Sequence, residues 1–260
     1  MAGTGRTGGR ALGHTKRRDG APPGFFEVEA AGLRWLAVPG GVPVVAVLDV
    51  GADSITVSRV EPRQPTATAA QEFGRLLVVT HDSGAPAFGS PPAGWAGDGY
   101  IGDAPLRLRP EAGWGSFYAG QRVLPYARTA HSRGALTGSG LAVVERLAGR
   151  IGAGEFDDGA PPARIHGDLW SGNVLFSGAA ATLIDPAAHG GHRITDLAML
   201  ALFGLPHLEA VFDAYAAAST HLPAHWRDLI GLHQLHPLLV HAVLFGGGYG
   251  ARAAQTAADY

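Results

Sequence analysis

The chain of 260 residues carries a net charge of −2, 46% hydrophobic and 16% charged residues, and no cysteine. It is long enough to bury one large core or two lobes, and the missing thiols exclude disulfides, thiolate metal sites and cysteine nucleophiles. The charge gives no footprint for nucleic acid or an anionic membrane, no run approaches the ~18 apolar residues of a membrane span, and the basic first residues lack a secretory apolar stretch, so a reducing, cytoplasmic setting is expected. In chain order, residues 1–24 are rich in glycine and arginine. Gly3, Gly5, Gly8 and Gly9 match a phosphate-cradling loop only loosely, because no clear strand precedes them. Residues 25–37 have apolar positions near helical spacing and predict a helix. Residues 42–50 and 55–60, around Gly51-Ala52-Asp53, predict a hairpin, and residues 67–81 a second helix. The Gly-, Pro- and Trp-dense region 84–120 reads as irregular, with Trp95, Tyr100, Trp114, Phe117 and Tyr118 as core or groove walls. Helical patterns follow at 115–128 and 138–151, then from Asp196 to the end with breaks at Leu205-Pro206 and near Pro223. Strands early and helices late predict an α+β fold, a small lobe over 1–62 and a mainly helical one over 63–260.

Residues 164–176 read RIHGDLWSGNVLF. Polar side chains held on a loop between apolar flanks are where chemistry tends to sit. Asp168 and Asn173 lie five apart; a carboxylate there can hold a substrate hydroxyl, and an amide oxygen can ligate Mg²⁺. Val174-Leu175-Phe176, a Ser177-Gly178 turn and residues 181–184 predict a second hairpin, which returns Asp185 to the same spot. Hard oxygen ligands with room for water and phosphate are what Mg²⁺ prefers. Asp168 alone would read as a loop-capping carboxylate, whereas the three residues with that hairpin read as a site. His166 reads as a residue that packs and hydrogen-bonds the loop. Asp196 has two readings, a carboxylate complementing a helix dipole or a buried one holding the catalytic loop. Of the 20 Lys and Arg residues only Lys16 is lysine. It is either the survivor of an arginine bias or a position that needs a compact ammonium.

On these residues the sequence resembles the fructosamine (ketosamine) kinase family, whose members share a protein-kinase-like, two-lobed fold with aminoglycoside phosphotransferases. HGDLWSGN at 166–173, IDPA at 184–187, GHR at 191–193 and DLAMLALFG at 196–204 carry the resemblance. EAAGL at 29–33, GYIG at 99–102 and LFGGGY at 244–249 extend it to roughly residues 16–250. The resemblance implies ATP and Mg²⁺ as cofactors, with Asp168 as catalytic base and Asn173 and Asp185 as metal ligands. It implies that Lys16 contacts the ATP phosphates with Glu29 as its helix partner, and that residues 58–61, Ser58 and Val60 among them, run past the adenine. Trp170, His189 and His192 become candidate acceptor contacts, and His166 and Asp196 supports of the loop. The implied reaction phosphorylates the 3-hydroxyl of a free or protein-bound ketosamine; the product then breaks down and frees the amine, a deglycating repair.

Three departures stand out. Only 15 residues precede Lys16, so the first lobe is expected to be shortened and ATP binding weak. An extension of roughly 25 residues would supply the missing strands. Ser58 stands where the family's hinge usually carries a glutamate. Ile194 follows Gly-His-Arg, and His189-Gly190 stand where aromatics are usual. Competing readings keep the fold with another hydroxyl acceptor (an aminoglycoside or amino alcohol), or make the chain a degenerate kinase that binds without turnover. Trp170 bears on the acceptor, because an aromatic wall beside Asp168 suits stacking on a sugar, although packing would explain it too. A metal hydrolase built on the 12 histidines lacks an HExxH arrangement, and His233, His236 and His241 read as interface residues on one helical face.

Overall fold

Alternation in Ser-Ile-Thr-Val-Ser puts Ile55 and Val57 on one face of a strand and the hydroxyls on the other. In the computed structural model, which describes residues 13–260, that strand, β3 (Ser54–Ser58), is the centre of a three-stranded antiparallel sheet. β1 (Gly13–Arg17) and β2 (Val47–Gly51) flank it. The glycines at 3, 5, 8 and 9 lie outside the described residues. Helix α1 (Phe25–Leu36) lays Phe26, Ala30 and Leu33 on the Ile55 face and closes a small apolar core. Lys16 stands directly opposite Ile55 in the register, so its side chain shares the face on which α1 packs.

The segment after α1 ties this sheet to the rest of the chain. Val45 N–H donates to Leu183 O at 3.2 Å, and Leu183 N–H to Pro43 O at 2.8 Å. Leu183 ends the hairpin of β7 (Val174–Ser177) and β8 (Ala180–Leu183), with β6 (Ala163–Ile165) before it and β9 (His189–Gly191) after. Around these strands lie α2 (Ala67–Asp82), capped by Thr66, α6 (Arg193–Phe203) and α7 (Leu208–Ala218). A further layer holds α4 (Leu124–Ser132), α5 (Gly138–Gly152), α8 (Ile230–Phe245) and α9 (Tyr249–Ala258). The architecture is α+β, as the order of strands and helices predicts.

Several spans differ from expectation. The region 84–120 contains a short hairpin of β4 (Gly99–Ile101) and β5 (Ala104–Leu106). The helix expected over 115–128 is a short α3 (Trp114–Phe117), a π-helical turn (Tyr118–Val123) and then α4. Pro125 has no N–H for the turn before it, and the Arg122 guanidinium donates to the Gln121 carbonyl instead. Helix α6 starts at Arg193 rather than Asp196, because His192 Nδ1 accepts from Ile194 N–H and caps it. A break at Gly246 and Gly247, both with positive φ, separates α8 from α9.

Two expectations about the last helices need correcting. Residues Trp226–Phe245 are long and apolar enough to cross a membrane by length and composition. Here they form a core helix: Leu232, Leu235, Leu238 and Leu239 are fully buried, with α4, α6 and α9 packed against them. For the same reason His233 and His236 are core rather than interface residues, since they lie on the part of α8 that its neighbours cover. His233 hydrogen-bonds Thr195 Oγ1 and stacks on Trp114.

Candidate active site

Strand β6 enters the core with Ala163 and Ile165 buried, and the chain then turns through His166-Gly167-Asp168. Gly167 has φ 80°, and a Cβ there would meet Ala187 O at 2.3 Å, so the turn requires glycine. One carboxylate fastens it. Asp196, fully buried on α6, accepts from His166 N–H at 2.8 Å, Gly167 N–H at 2.9 Å and His81 Nε2–H at 3.1 Å. Burial alone would push the Asp196 carboxyl up, but the His81 hydrogen bond and the nearby histidines hold it below its usual value. Burial pushes His81 down, so its ring is neutral and its Nδ1 accepts from the Tyr215 hydroxyl at 2.7 Å. Of the two readings of Asp196, the carboxylate therefore holds the loop, and does so from the first turn of a helix.

His166 donates through Nε2 to Ile184 O at 2.8 Å and accepts through Nδ1 from Asp168 N–H at 3.2 Å. Burial pushes its pKa down as well, so it is a neutral brace with both nitrogens engaged. The β7–β8 hairpin pairs Val174 with Leu183 and brings Asn173 and Asp185 together. Asn173 Nδ2 donates to Asp168 O at 2.8 Å, Asp168 Oδ2 at 3.2 Å and Asp185 O at 3.4 Å. Asp185 has φ 54°, a left-handed conformation in which a non-glycine residue is uncommon. Lys16 Nζ lies 2.5 Å from Glu29 Oε1 and 2.9 Å from Asp185 Oδ1, joining β1, α1 and the hairpin at one point. Burial pushes the Glu29 carboxyl up, with the Lys16 charge opposing it. Asp168 is pushed up to about 6, chiefly by burial, with the Asn173 hydrogen bond opposing and the Asp196 and Asp185 charges adding.

These groups line one cleft of about 450 Å³, where Lys16, Glu29, Asp168, Trp170, Asn173 and Asp185 meet. A second cavity of about 350 Å³ opens from Lys16 and Asp185, with Val45, Val57, Ser58, Val60 and Ile184 as its walls. A third of about 160 Å³ shares Asp168 and Trp170 with the cleft. The Trp170 indole is 42% exposed; it covers Gly172, where a Cβ would meet the ring at 2.2 Å, and sets its edge against Phe203.

Two expected acceptor contacts lie elsewhere. His189 is buried behind Gly167, because β9 pairs with β6, and its Nδ1 donates to Ala187 O. His192 is buried as the α6 cap, with its Nε2 3.2 Å from Asp158. Neither lines the cleft. Tyr100, read from sequence as a core or groove wall, does line it, and so does Asp103, which was given no role although GYIG at 99–102 marks their hairpin. Asp103 is held by Arg18 at 2.6 Å.

Among the described residues no group of three or more His, Cys, Asp and Glu side chains is placed to hold a metal. The histidines therefore do not assemble the hydrolase site considered above. Asn173 and Asp185 fit a different demand. Asn173 commits its Nδ2 to the loop, leaving Oδ1 as an oxygen donor beside the half-exposed Asp185 carboxylate. Two hard oxygens leaving room for phosphate and water suit Mg²⁺.

The sequence model of the fructosamine kinase family matches residues 15–260. The probable ketoamine kinase TTHA1179 of Thermus thermophilus is 33% identical over 229 residues, covering 88% of this chain and 79% of that protein. A crystal structure assigned to fructosamine-3-kinase from Thermobifida fusca is 47% identical with a TM-score of 0.85, over 95% of this chain and 85% of that one. A thermostable mutant of aminoglycoside phosphotransferase APH(4)-Ia, solved as a ternary complex with AMP-PNP and hygromycin B, is similar in fold. Its TM-score is 0.55 at 15% identity, over 91% of this chain and 85% of that one.

Proposed function

Because the chain belongs to the fructosamine kinase family, we propose that it is an ATP- and Mg²⁺-dependent kinase acting on the 3-hydroxyl of ketosamines. What supports the reading is the convergence of Asp168, Asn173, Asp185 and the Lys16–Glu29 pair on one cleft. The apolar cavity of Val45, Val57, Val60 and Ile184 would take the adenine, with the phosphates running past Lys16 towards Asp168. Asn173 and Asp185 would hold Mg²⁺, which when bound neutralises charge on the phosphate oxygens. The acceptor hydroxyl hydrogen-bonds Asp168. As its oxygen bonds to the γ-phosphorus, its proton passes to Asp168 and the bond to the bridging oxygen breaks, leaving ADP and a phosphate ester. The ketosamine 3-phosphate then decomposes and frees the amine. Positioning supplies most of the rate, which is why one buried carboxylate, Asp196, fixes the backbone on which Asp168 stands. ADP release measured against fructose- and ribulose-amines tests the reading. Saturable, adduct-dependent release is expected, and its absence with every adduct would overturn it.

Two substitutions probe the nucleotide side. Lys16→Ala removes a charge-assisted contact worth about 1.5–3 kcal/mol and should weaken ATP binding roughly 10- to 100-fold by calorimetry. Unchanged affinity would remove Lys16 from the phosphate site. At Asp185 the informative change is Asp185→Asn, because asparagine tolerates the left-handed backbone. Losing one unit charge beside a divalent cation at a partly exposed site costs a few kcal/mol. The Mg²⁺ enhancement of nucleotide affinity should then fall on the order of 10²-fold, and an enhancement that survives intact would count against the ligand assignment.

A further inference from the structure

The third cavity begins where the catalytic loop ends. Asp168, Trp170 and Gly102 line both it and the main cleft, so a hydroxyl held at Asp168 leaves the remainder of the acceptor to continue into it. Its other walls include Met199, Pro237, Val240, Leu244 and Phe245, and Asp168 is its only acidic residue. At about 160 Å³ it is comparable to an apolar cavity known to accept one benzene ring. Among the described residues, the exposed large hydrophobics are Leu48, Val79, Trp170 and Phe245, and the last two, 42% and 69% exposed, both rim this cavity. His241 is a polar wall. Its Nδ1 donates to Pro237 O at 2.7 Å, so the Nε2 of the neutral ring carries a lone pair and makes no hydrogen bond among the described residues.

We infer that this cavity receives the amine-bearing end of the acceptor and selects ketosamines whose nitrogen carries an uncharged, apolar substituent. The inference rests on the kinase reading above and narrows its substrate class. The substituent would cover Phe245 and the exposed ring of Trp170, removing apolar surface from water. His241 Nε2 offers a neutral acceptor to the N–H of the ketosamine nitrogen. A second ammonium on the substituent would enter a wall with no carboxylate beyond the one occupied by the acceptor hydroxyl, and would be left unpaired. That chemistry disfavours adducts of diamines and polycationic aminoglycosides.

The test measures ADP release with the fructose adducts of benzylamine, glycinamide and putrescine, using the full chain. The expected kcat/KM is at least about tenfold higher for the benzylamine adduct than for the glycinamide adduct, the discrimination typical of an apolar pocket, with the putrescine adduct lowest. Phe245 is exposed, so its replacement does not open the core. Phe245→Ala should cut the benzylamine-to-glycinamide ratio about tenfold, through KM rather than kcat. Phe245→Glu should move the preference towards the putrescine adduct. Equal kcat/KM for the three adducts, or a ratio that neither substitution moves, overturns the inference and leaves the kinase reading standing. No turnover of any adduct overturns that reading and this inference together.

Discussion

Asp168→Asn is expected to lower phosphoryl transfer by roughly 10²–10⁴-fold, the contribution of a positioned general base, while the chain stays folded. The amide is nearly isosteric and can still accept from Asn173 Nδ2 through its own oxygen, so the loop keeps its hydrogen bonds. What it cannot do is take the acceptor's proton. Because burial raises the Asp168 carboxyl to about 6, the wild-type rate should be full above that pH and fall about tenfold per unit below it. The residual activity of the variant should lack this acid limb. The same raised pKa means the ionised carboxylate is a liability to the fold at neutral pH. Its removal should therefore stabilise the chain, by about 2 kcal/mol once partial exposure is allowed for. A pH profile and a melting curve for both proteins check the three statements. Wild-type turnover in the variant would remove Asp168 from the role of base.

Mild acid should unfold the protein. His166, His189, His233 and His236 are all buried, and burial holds each below its ordinary pKa, His189 as low as about 3. In the unfolded chain each would titrate near 6.5. Their neutral burial therefore costs nothing above that value, and below it the unfolded state gains protons that the folded state refuses. Each histidine whose folded pKa lies far below that value removes about 1.4 kcal/mol per pH unit, so His189, His233 and His236 together remove about 4 kcal/mol per unit, and His166 acts in the same direction. Against a total stability of about 5–15 kcal/mol, to which the fold adds about 2 kcal/mol as Asp168 protonates below about 6, the cooperative transition should begin below about pH 5. Circular dichroism across pH 8 to 4 reads it, and a melting temperature that stays level through this range would contradict the argument. Replacing His236, whose Nε2 has no hydrogen-bond partner among the described residues, by an apolar residue should shift the transition to lower pH.

The centre of the site was legible because its geometry is local. Asp168, Asn173 and Asp185 span 18 residues, and a hairpin turn is enough to bring the last of them back. Lys16 stood out by composition, as the single lysine of the chain, but composition left open whether it was the survivor of an arginine bias, and only the resemblance gave it a partner in Glu29. His189 and His192 misled because they sit close in sequence to the motif, whereas the β6–β9 pairing, made across 24 to 28 residues, turns them into the core. The third cavity draws its walls from positions 101, 168, 170, 199 and 237–245, on separate elements, and no spacing rule connects these. The late histidines were read as one face of an amphipathic helix. That reading fails for His233 and His236 because this helix is apolar around most of its circumference and its neighbours bury that part of it.

The lone lysine has one more consequence. Sugars that glycate proteins condense with amines, and nineteen of the twenty basic side chains here are guanidinium groups, which form no Schiff base. The one ε-amine is clasped between Glu29 and Asp185 inside the cleft. A kinase acting on glycation adducts, as proposed above, would thus offer its own side chains as almost no target for the damage, with its one ε-amine where bound nucleotide would cover it.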